Sequence, residues 1–406
     1  MKILIADKFQ EAYLEDLNKL GHEITLNPDL KSEDIPSVIK GYEALIVRST
    51  KVKADTIEAS DKLTLIIRAG AGVNTIDVEL AASKGIFVCN TPGKNSIAVA
   101  ELAFGLMLSI DRKIPDCVID LRNGAWNKKK YSKADGICGK TLGIIGMGEI
   151  GLAFADRAKA FGMNIVAFDP IAIVNQTEKI KIRIENRTFS FCEKIEDLAK
   201  ISDVITIHVP SNPHTQGMIN KEFLNNVKKN AIIINTSRGD IINDADVLEA
   251  IKNKNIKLGL DVFNNECPDG TGKFSTELSI SPNVYGTHHI GASTEQAQDA
   301  IALEVIEILK AFERGEVLHP VNMEIRPVTK HTLIIRAYDR IGVFASIFQT
   351  IRDNGINVQQ MEAKVFAGEN AQHITLYLSK KPSEDTIKKL LVLDNIISVD
   401  AKSLID

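Results

Sequence analysis

Three side chains able to move protons or bind anions follow three apolar runs in the second half of the chain. Arg238 follows AIIINTS, Glu266 follows LGLDVFNN and His289 follows NVYGTH. If these runs are parallel strands, their carboxyl ends line one crevice, which is where open α/β sheets bind ligands. Histidine can accept a hydroxyl proton near neutral pH, a carboxylate can hold its tautomer, and arginine can clamp a substrate carboxylate. The placement predicts proton transfer on a small acid, although Arg238 or Glu266 taken alone would be better explained as a solvated loop charge.

Two adjacent histidines, His288 and His289, stand in the segment YGTHHIGAST. Neighbouring side chains of an extended segment point to opposite faces, so only one of the two can easily face a given site. His289 has its carboxylate and arginine partners at neighbouring strand ends, and it is predicted to carry the proton. His288 is predicted to point elsewhere, and its role stays open.

A glycine motif with dinucleotide-binding spacing comes earlier in the chain. The segment GIIGMGEIG places Gly146, Gly148 and Gly151 directly after an apolar run and at the start of a helical pattern. These glycines would allow a tight turn, a close backbone approach to a pyrophosphate, and close helix–strand packing. The next apolar run ends at Asp169, where a carboxylate would bind both ribose hydroxyls of NAD and repel the 2′-phosphate of NADP. NAD binding is predicted, with a purely structural turn as the alternative, and Glu149 inside the loop is expected to point outward.

The apolar runs that must position these groups form two series. Five runs come first: KILIAD, HEITLN, ALIVRS, LTLIIRAG and IFVCNTP. After the helical stretch SIAVAELAFGLMLSIDRKI, six more follow: TLGIIGMG, NIVAFDP, DVITIHVP, AIIINTSRG, LGLDVF and NVYGTHH. Continuous apolar runs are typical of parallel strands covered on both faces, so two doubly wound parallel sheets of the α/β class are predicted. The amphipathic stretch TEQAQDAIALEVIEILKAFERG is predicted to pack back on the first sheet.

The pattern changes near the end of the chain. Two prolines in HPVNMEIRPVTK mark a linker. The following runs alternate as strand, helix, strand, strand, helix and strand, which is the ferredoxin-like βαββαβ order. This unit is too small to hold a catalytic cleft of its own, and a regulatory or assembly module is predicted.

Composition excludes several classes of function. A chain of 406 residues is long enough for two or three domains. The net charge of −4 and the lack of a long basic block argue against nucleic acid and membrane surfaces as partners. No signal peptide and no transmembrane run are predicted. The five cysteines lack CxxC spacing, so reduced thiols in a cytoplasmic protein without a metal site are expected.

Six segments taken together resemble the NAD-dependent D-isomer-specific 2-hydroxyacid dehydrogenases: GKTLGIIGMGEIG, FDP, HVP, NTSRGDIIN, LDVFNNECP and GTHHIGAST. The resemblance covers roughly residues 1–320. It implies that Arg238, Glu266 and His289 form the catalytic triad. The family usually has proline before that histidine, where this chain has His288. For the cofactor it implies contacts from Gly146, Gly148, Glu149, Ile150, Gly151, Asp169, His208, Pro210, Thr236, Asp261 and Gly291.

The resemblance also implies a division into domains. A flavodoxin-like substrate domain would comprise residues 1–96 and 290–320, and a Rossmann NAD domain would comprise residues 97–289. Residues 321–330 would be a linker, and residues 331–406 would form the ferredoxin-like module.

Within the family, ALIVRST, LTLIIRAGAGVNTID and NTPGKNSIAVAEL resemble the branch whose substrate carries a phosphate. This implies NAD-dependent oxidation of D-3-phosphoglycerate to 3-phosphohydroxypyruvate, the first step of L-serine biosynthesis. Arg48, Ser49 and Arg68 would bind the phosphate, and the backbone of Ala71, Gly72 and Val73 would bind the carboxylate. Lys128 in GAWNKKK would reach the site of a partner subunit, which implies a homodimer or homotetramer.

Two other functions stay open from the sequence. One is the same chemistry on glyoxylate, hydroxypyruvate, D-lactate or 2-hydroxyglutarate. The other is a redox-sensing binding protein similar to the transcriptional corepressors that share this fold, in which the triad is also kept.

The C-terminal module resembles an ACT domain in the segment AYDRIGVFASIFQTIRDNGINVQQ. That likeness implies an amino-acid effector, serine, held between two such modules by Asp339 and Asn357. Only Asn357 matches the usual ligands fully, because Asp339 replaces an asparagine and Ala337 stands where a histidine would be. A module used only for assembly is the alternative.

Overall fold

The chain divides into two compact units, residues 1–322 and 323–406. The first unit holds two parallel sheets, and the second holds one antiparallel sheet. The computed structural model describes residues 1–170, 189–267, 270–323, 329 and 331–403.

The first sheet is built from the first five apolar runs, as predicted. Its order is β2-β1-β3-β4-β5, and every described pairing is parallel. The strands are β1 (Lys2–Ile5), β2 (Glu23–Leu26), β3 (Ala44–Val47), β4 (Leu65–Arg68) and β5 (Phe87–Asn90). The helices between them are α1 (Glu11–Lys19), α2 (Ile35–Val38), α3 (Ala54–Ala59) and α4 (Val78–Ser83). Apolar side chains on both faces of this sheet are buried, which is why its runs are continuous rather than alternating.

Three helices lead to the second sheet: α5 (Ser96–Arg112), α6 (Ile114–Arg122) and α7 (Lys128–Tyr131). The second sheet has the order β12-β11-β10-β9-β6-β7-β8, again parallel. Its strands are β6 (Thr141–Ile145), β7 (Asn164–Phe168), β8 (Ser190–Phe191), β9 (Val204–Ile207), β10 (Ile232–Asn235), β11 (Lys257–Leu260) and β12 (Val284–Gly286). Its helices are α8 (Glu149–Ala160), α9 (Ile195–Ile201), α10 (Lys221–Asn226) and α11 (Asp244–Lys254).

Six strands were expected here, and the described sheet has seven. The additional strand, β8, is two residues long, too short to form an apolar run. The order reverses between β6 and β9, so the first strand of the series neighbours both halves of the sheet. This reversal opens a crevice at the carboxyl ends of the strands.

The long helix α12 (Glu295–Glu313) returns to the first sheet, as predicted. Thr294 accepts a hydrogen bond from Ala297 N at 3.2 Å and begins the helix. Its buried face, including Ile301 and Val305, joins the core formed by β1, β3 and β4. Beyond the helix, the amide of Asn322 bonds to the backbone of Ile86 and Val88.

The second unit has the predicted ferredoxin-like order. Its sheet runs β14-β15-β13-β16, and every described pairing is antiparallel. The elements are β13 (His331–Tyr338), α13 (Val343–Asp353), β14 (Val358–Val365), β15 (Ala371–Leu378), α14 (Glu384–Leu391) and β16 (Ile396–Ser403). Leu333, Ile335 and Ile374 form the centre of its core with the helices.

Within the described part of the chain, no helix is long and apolar enough to cross a membrane. The same residues contain no group of three His, Cys, Asp or Glu side chains placed to hold a metal ion.

Candidate active site

The glycine motif forms a tight turn between β6 and α8. Gly146 has a φ of +94°, and a Cβ there would lie 2.7 Å from the carbonyl oxygen of His208. A Cβ on Gly151 would lie 2.1 Å from the carbonyl oxygen of Gly146, so the turn and the helix could not pack with larger residues. Gly148, which directly precedes the helix, faces open space. Its backbone can therefore be approached by a phosphate at the helix N-terminus.

Asp169 follows the end of β7 and lies beside this turn. Its Oδ2 accepts a hydrogen bond from Met147 N at 2.8 Å. Glu149 is exposed, and its Cγ lies 3.4 Å from where a Cβ on Gly93 would be. The side chain of Glu149 is thus directed to the segment before α5. Ile150 is partly buried against the core under the sheet.

Two polar side chains at the ends of β9 and β10 have buried hydrogen-bonding atoms without a partner among the described residues. His208 Nε2 is 2.9 Å from Thr206 Oγ1, whereas its Nδ1 is buried and has no partner among the described residues. Burial lowers the pKa of His208 to about 3, so its imidazole is neutral at physiological pH. Thr236 Oγ1 is likewise buried without a partner in the described part of the chain. Buried polar atoms are normally hydrogen-bonded, so these two atoms suit contacts to a bound dinucleotide.

His289 and Glu266 are in direct contact. His289 Nδ1 is 2.7 Å from Glu266 Oε2, and Glu266 Oε1 accepts a hydrogen bond from Phe263 N at 2.9 Å. Burial acts to raise the pKa of Glu266, but the bonds from His289 and Phe263 and the charge of Arg238 outweigh it, so the pKa lies below its ordinary value. Because an ionised carboxylate only accepts hydrogen bonds, Nδ1 is the donor, and in the neutral form of the ring Nε2 is then an acceptor.

The loop that carries His289 is held by Asp261, which is 1% exposed. Asp261 Oδ1 accepts hydrogen bonds from Thr287 Oγ1 at 2.6 Å and from Ile290 N at 2.9 Å. Its Oδ2 accepts one from Gly291 N at 2.8 Å, and its carbonyl oxygen accepts one from His289 N. His289 has a φ of +53°, so the backbone is not extended at this residue. The prediction that the two histidines point to opposite faces assumed an extended segment, and that assumption is wrong here.

Three guanidinium groups converge beside this pair. A Cβ on Gly72 would lie 2.1 Å from a terminal nitrogen of Arg238, so a larger residue there would require the guanidinium to move. Arg68 lies against Gly70, where a Cβ would fall 1.7 Å from its guanidinium. Burial, together with repulsion from Arg238 and Arg48, lowers the pKa of Arg68 to about 10. Arg68 Nε is buried and has no partner within the described residues. Such a cluster is balanced best by an anionic ligand.

Residues 104–291 match the profile of the D-isomer specific 2-hydroxyacid dehydrogenase, NAD binding domain. The chain is 38% identical to the D-3-phosphoglycerate dehydrogenase of Methanocaldococcus jannaschii, over 92% of this chain and 69% of that protein. The chain belongs to the D-isomer specific 2-hydroxyacid dehydrogenase family. It is also 41% identical to the hydroxypyruvate reductase of Thermotoga maritima, over 72% of this chain and 91% of that protein.

A solved structure also resembles this chain and supports the same family. The NAD⁺-bound 3-phosphoglycerate dehydrogenase of Entamoeba histolytica matches with a TM-score of 0.66 and 29% identity, over 80% of this chain and 99% of that one. The predicted family and the predicted NAD-binding domain are therefore confirmed. The chain spans 58% of the length of the Archaeoglobus fulgidus D-3-phosphoglycerate dehydrogenase, with which it is 36% identical.

Sequence reasoning missed two residues that shape this site. Asp7 Oδ2 accepts hydrogen bonds from the backbone N–H groups of Arg48, Ser49 and Thr50, at 2.7, 3.1 and 3.0 Å. Asn90 donates its amide to the carbonyl oxygen of Ala71 at 2.5 Å. Each lies at the end of an apolar run of the first sheet. A polar residue at a strand end is the feature by which the sequence could have identified them. Asp7 and Asn90 therefore hold the two loops to which substrate binding is assigned from the resemblance.

Three residues assigned to binding from the sequence are not among the side chains described above. One lies on α7 of the first unit, and two lie in the second unit. Lys128 begins the short exposed helix α7, whose Lys130 and Tyr131 bond to Asp120 on α6. Asp339 follows β13, and its N–H bonds to Asn370 O, where β15 begins. Asn357 precedes β14 and bonds to Ser379, where β15 has ended. Asp339 and Asn357 therefore lie at opposite ends of an eight-residue strand, roughly 30 Å apart.

Proposed function

We propose that this chain oxidises D-3-phosphoglycerate to 3-phosphohydroxypyruvate with NAD, the first step of L-serine biosynthesis. The observation that carries the proposal is the cluster of Arg48, Arg68 and Arg238 beside the His289–Glu266 pair. D-3-Phosphoglycerate has an anionic group at each end, a carboxylate and a phosphate. Three guanidinium groups match that charge better than they match a monocarboxylate. The names of several relatives support the same substrate.

In the proposed reaction His289 acts as the general base. NAD, when bound, supplies the acceptor for the hydride that leaves C2. The Glu266 carboxylate fixes the imidazole in the tautomer whose Nε2 can accept the hydroxyl proton, and it stabilises the imidazolium that results. Arg238 holds the substrate carboxylate and draws electron density from the developing carbonyl group.

Substrate placement is proposed from the loops around the arginines. Arg48, Ser49 and Arg68 would bind the phosphate, and the backbone at residues 71–73 would bind the carboxylate. The hydrogen bonds from residues 48–50 to Asp7 and from Asn90 to Ala71 support this by giving both loops one conformation. Pre-organised donors do not have to be ordered when the substrate binds.

The cofactor would lie along the glycine turn, between α8 and the loops after β9, β10 and β12. The open face of Gly148 suits the pyrophosphate, and Asp169 at the end of β7 suits the ribose hydroxyls. The unpartnered atoms of His208 and Thr236, together with Pro210, Asp261 and Gly291, would line the rest of the site. A carboxylate at position 169 favours NAD over NADP because it would repel a 2′-phosphate.

We further infer a homodimer or homotetramer in the cytoplasm. The helix α6 and the segment after it expose Ile119, Leu121 and Trp126, the last 83% exposed. These exposed apolar side chains support an interaction surface in this segment, and Lys128 lies just beyond them along the chain. All five cysteines belong to the described residues and are unpaired, which supports a reducing compartment. Sedimentation of the purified chain tests the assembly, and a monomer would contradict it.

Serine is the proposed effector of the second unit. Because Asp339 and Asn357 lie at opposite ends of the sheet, one small ligand can contact both only when two copies of the unit contribute. Feedback by serine should therefore disappear in any variant that is monomeric.

The experiment that tests the reaction is the rate of NADH formation from D-3-phosphoglycerate and from D-glycerate, which lacks the phosphate. A kcat/KM at least 100-fold higher for the phosphorylated acid is expected from the loss of about 3 kcal/mol of anion binding in D-glycerate. Equal values would contradict the proposal. They would favour the second candidate, reduction of an unphosphorylated keto acid, which the Thermotoga maritima relative supports.

A further inference from the structure

The face of the second sheet that is turned away from α13 and α14 carries a row of basic side chains. Ile335 and Ile374 pack against the helices, so the residues next to them on β13 and β15 lie on the opposite, open face. On that face Lys364 of β14 is paired directly with His373 of β15, and His373 is paired with Arg336 of β13. These three side chains, the basic row, therefore stand side by side on three neighbouring strands, across roughly 10 Å.

The basic row has no carboxylate at its own level of the sheet. Like charges on directly paired residues destabilise a sheet, and within the described residues no member of the row takes part in an ion pair. Glu362 and Asp400, the nearest carboxylates on this face, stand on the outer strands β14 and β16, one step further along. Glu362 is 3.5 Å from the hydroxyl group of Tyr377, on the side away from His373. An anionic ligand would therefore relieve a repulsion that the described side chains leave in place.

Two local features orient Arg336. Its Nε donates a hydrogen bond to Ser398 Oγ at 2.8 Å, which fixes the plane of the guanidinium and leaves the two terminal nitrogens for another acceptor. The strand β16 also bulges at this point, because Arg336 pairs with Ser398 whereas Ala337 pairs with Ile396, so Ile397 is an extra residue. Bulges redirect side chains and are frequent beside binding sites. The backbone irregularity thus coincides with the end of the basic row.

We propose that the basic row is a binding site for a small phosphorylated molecule. A phosphoryl group carries about two negative charges near neutral pH and has three acceptor oxygens. It can therefore accept hydrogen bonds from an ammonium, an imidazole and a guanidinium at the same time. A monocarboxylate has one charge and two oxygens, so it matches the row less well. The site uses none of the residues assigned to serine, and it gives the second unit a ligand of its own, separate from the substrate of the first unit.

The test is hydrogen–deuterium exchange in the full chain, with and without inorganic phosphate at constant ionic strength. Phosphate should slow exchange in residues 331–338 and 371–378, because a ligand bound across these strands opposes their local opening. Arg336 and Lys364 are exposed, so Arg336→Gln and Lys364→Gln remove a charge without disturbing the core. In each variant the phosphate concentration that gives half of the protection should rise about tenfold, the effect of losing one charge-assisted contact. Arg352→Gln, at an exposed arginine on α13, is the matched control and should keep the wild-type value.

Acetate separates phosphate binding from a general attraction of anions. At the same concentration and ionic strength, acetate should protect residues 331–338 and 371–378 much less than phosphate does. Equal protection by the two anions would overturn the assignment to a phosphorylated ligand. No protection of these strands by phosphate, or protection that Arg336→Gln and Lys364→Gln both leave intact, would overturn the site itself. The readout comes from the second unit, so phosphate bound at the arginine cluster of the first unit does not enter it.

Discussion

Replacing Glu266 by glutamine tests whether the carboxylate, and not merely a side chain of that shape, supports His289. The change keeps the size of the group but removes the charge that faces Nδ1 at 2.7 Å. Hydrogen bonds to charged groups contribute about 1.5–3 kcal/mol. The side chains of His289 and Glu266 are 47% and 37% exposed, so solvent screens their interaction. The energy lost with the charge should therefore lie near the lower end of that range of about 1.5–3 kcal/mol. A loss of about 1.5–2 kcal/mol in transition-state stabilisation lowers kcat about 10-fold to 30-fold.

The assay is steady-state oxidation of D-3-phosphoglycerate, with NAD affinity measured separately by titration. Glu277→Gln, at an exposed carboxylate in the same part of the chain, controls for the change in net charge. NAD affinity should be the same in all three proteins because Glu266 bonds to His289 and Phe263 rather than to the glycine turn. A kcat for Glu266→Gln within threefold of wild type would refute the role given to the carboxylate. A matching loss in Glu277→Gln would show that the effect is not local.

Three further predictions follow from contacts in the first unit. Gly72→Ala places a methyl group 2.1 Å from Arg238, so KM for the hydroxy acid should rise about 10-fold to 100-fold while the dissociation constant of NAD stays the same. Asp261→Asn replaces the carboxylate that accepts a hydrogen bond from Gly291 N with an amide, so the free energy of unfolding should fall by about 2 kcal/mol in thermal unfolding. An unchanged melting temperature would contradict the role of Asp261 in holding the loop. His208 has a pKa depressed to about 3, so the unfolded chain binds the extra proton between pH 3 and 6.5, and stability should fall as the pH is lowered through that range. In urea titrations, His208→Gln should reduce the slope of the free energy of unfolding against pH by up to about 1.4 kcal/mol per pH unit. Equal slopes in the variant and the wild type would refute the prediction.

Features set by local pattern could be predicted from the sequence. The eleven apolar runs identified as strands all became strands, and in most of them the side chains of both faces are buried, as a run without alternation predicts. The βαββαβ order of the second unit followed from the succession of periodicities. The two-residue strand β8 could not be predicted in this way, because so short a segment has no period and pairs only through its neighbour β7.

The sequence by itself determined which groups could do the chemistry and which strand each of them follows, because motif spacing and the succession of strands along the chain are local properties. Only the tertiary structure decided what surrounds them. The contact of Arg238 with Gly72 joins loops of different sheets, and the bonds from residues 48–50 to Asp7 join residues more than 40 positions apart. The left-handed backbone of His289 depends in the same way on a buried carboxylate from β11's end, at Asp261. Such contacts arise when separate segments pack together, and no spacing along the chain encodes them.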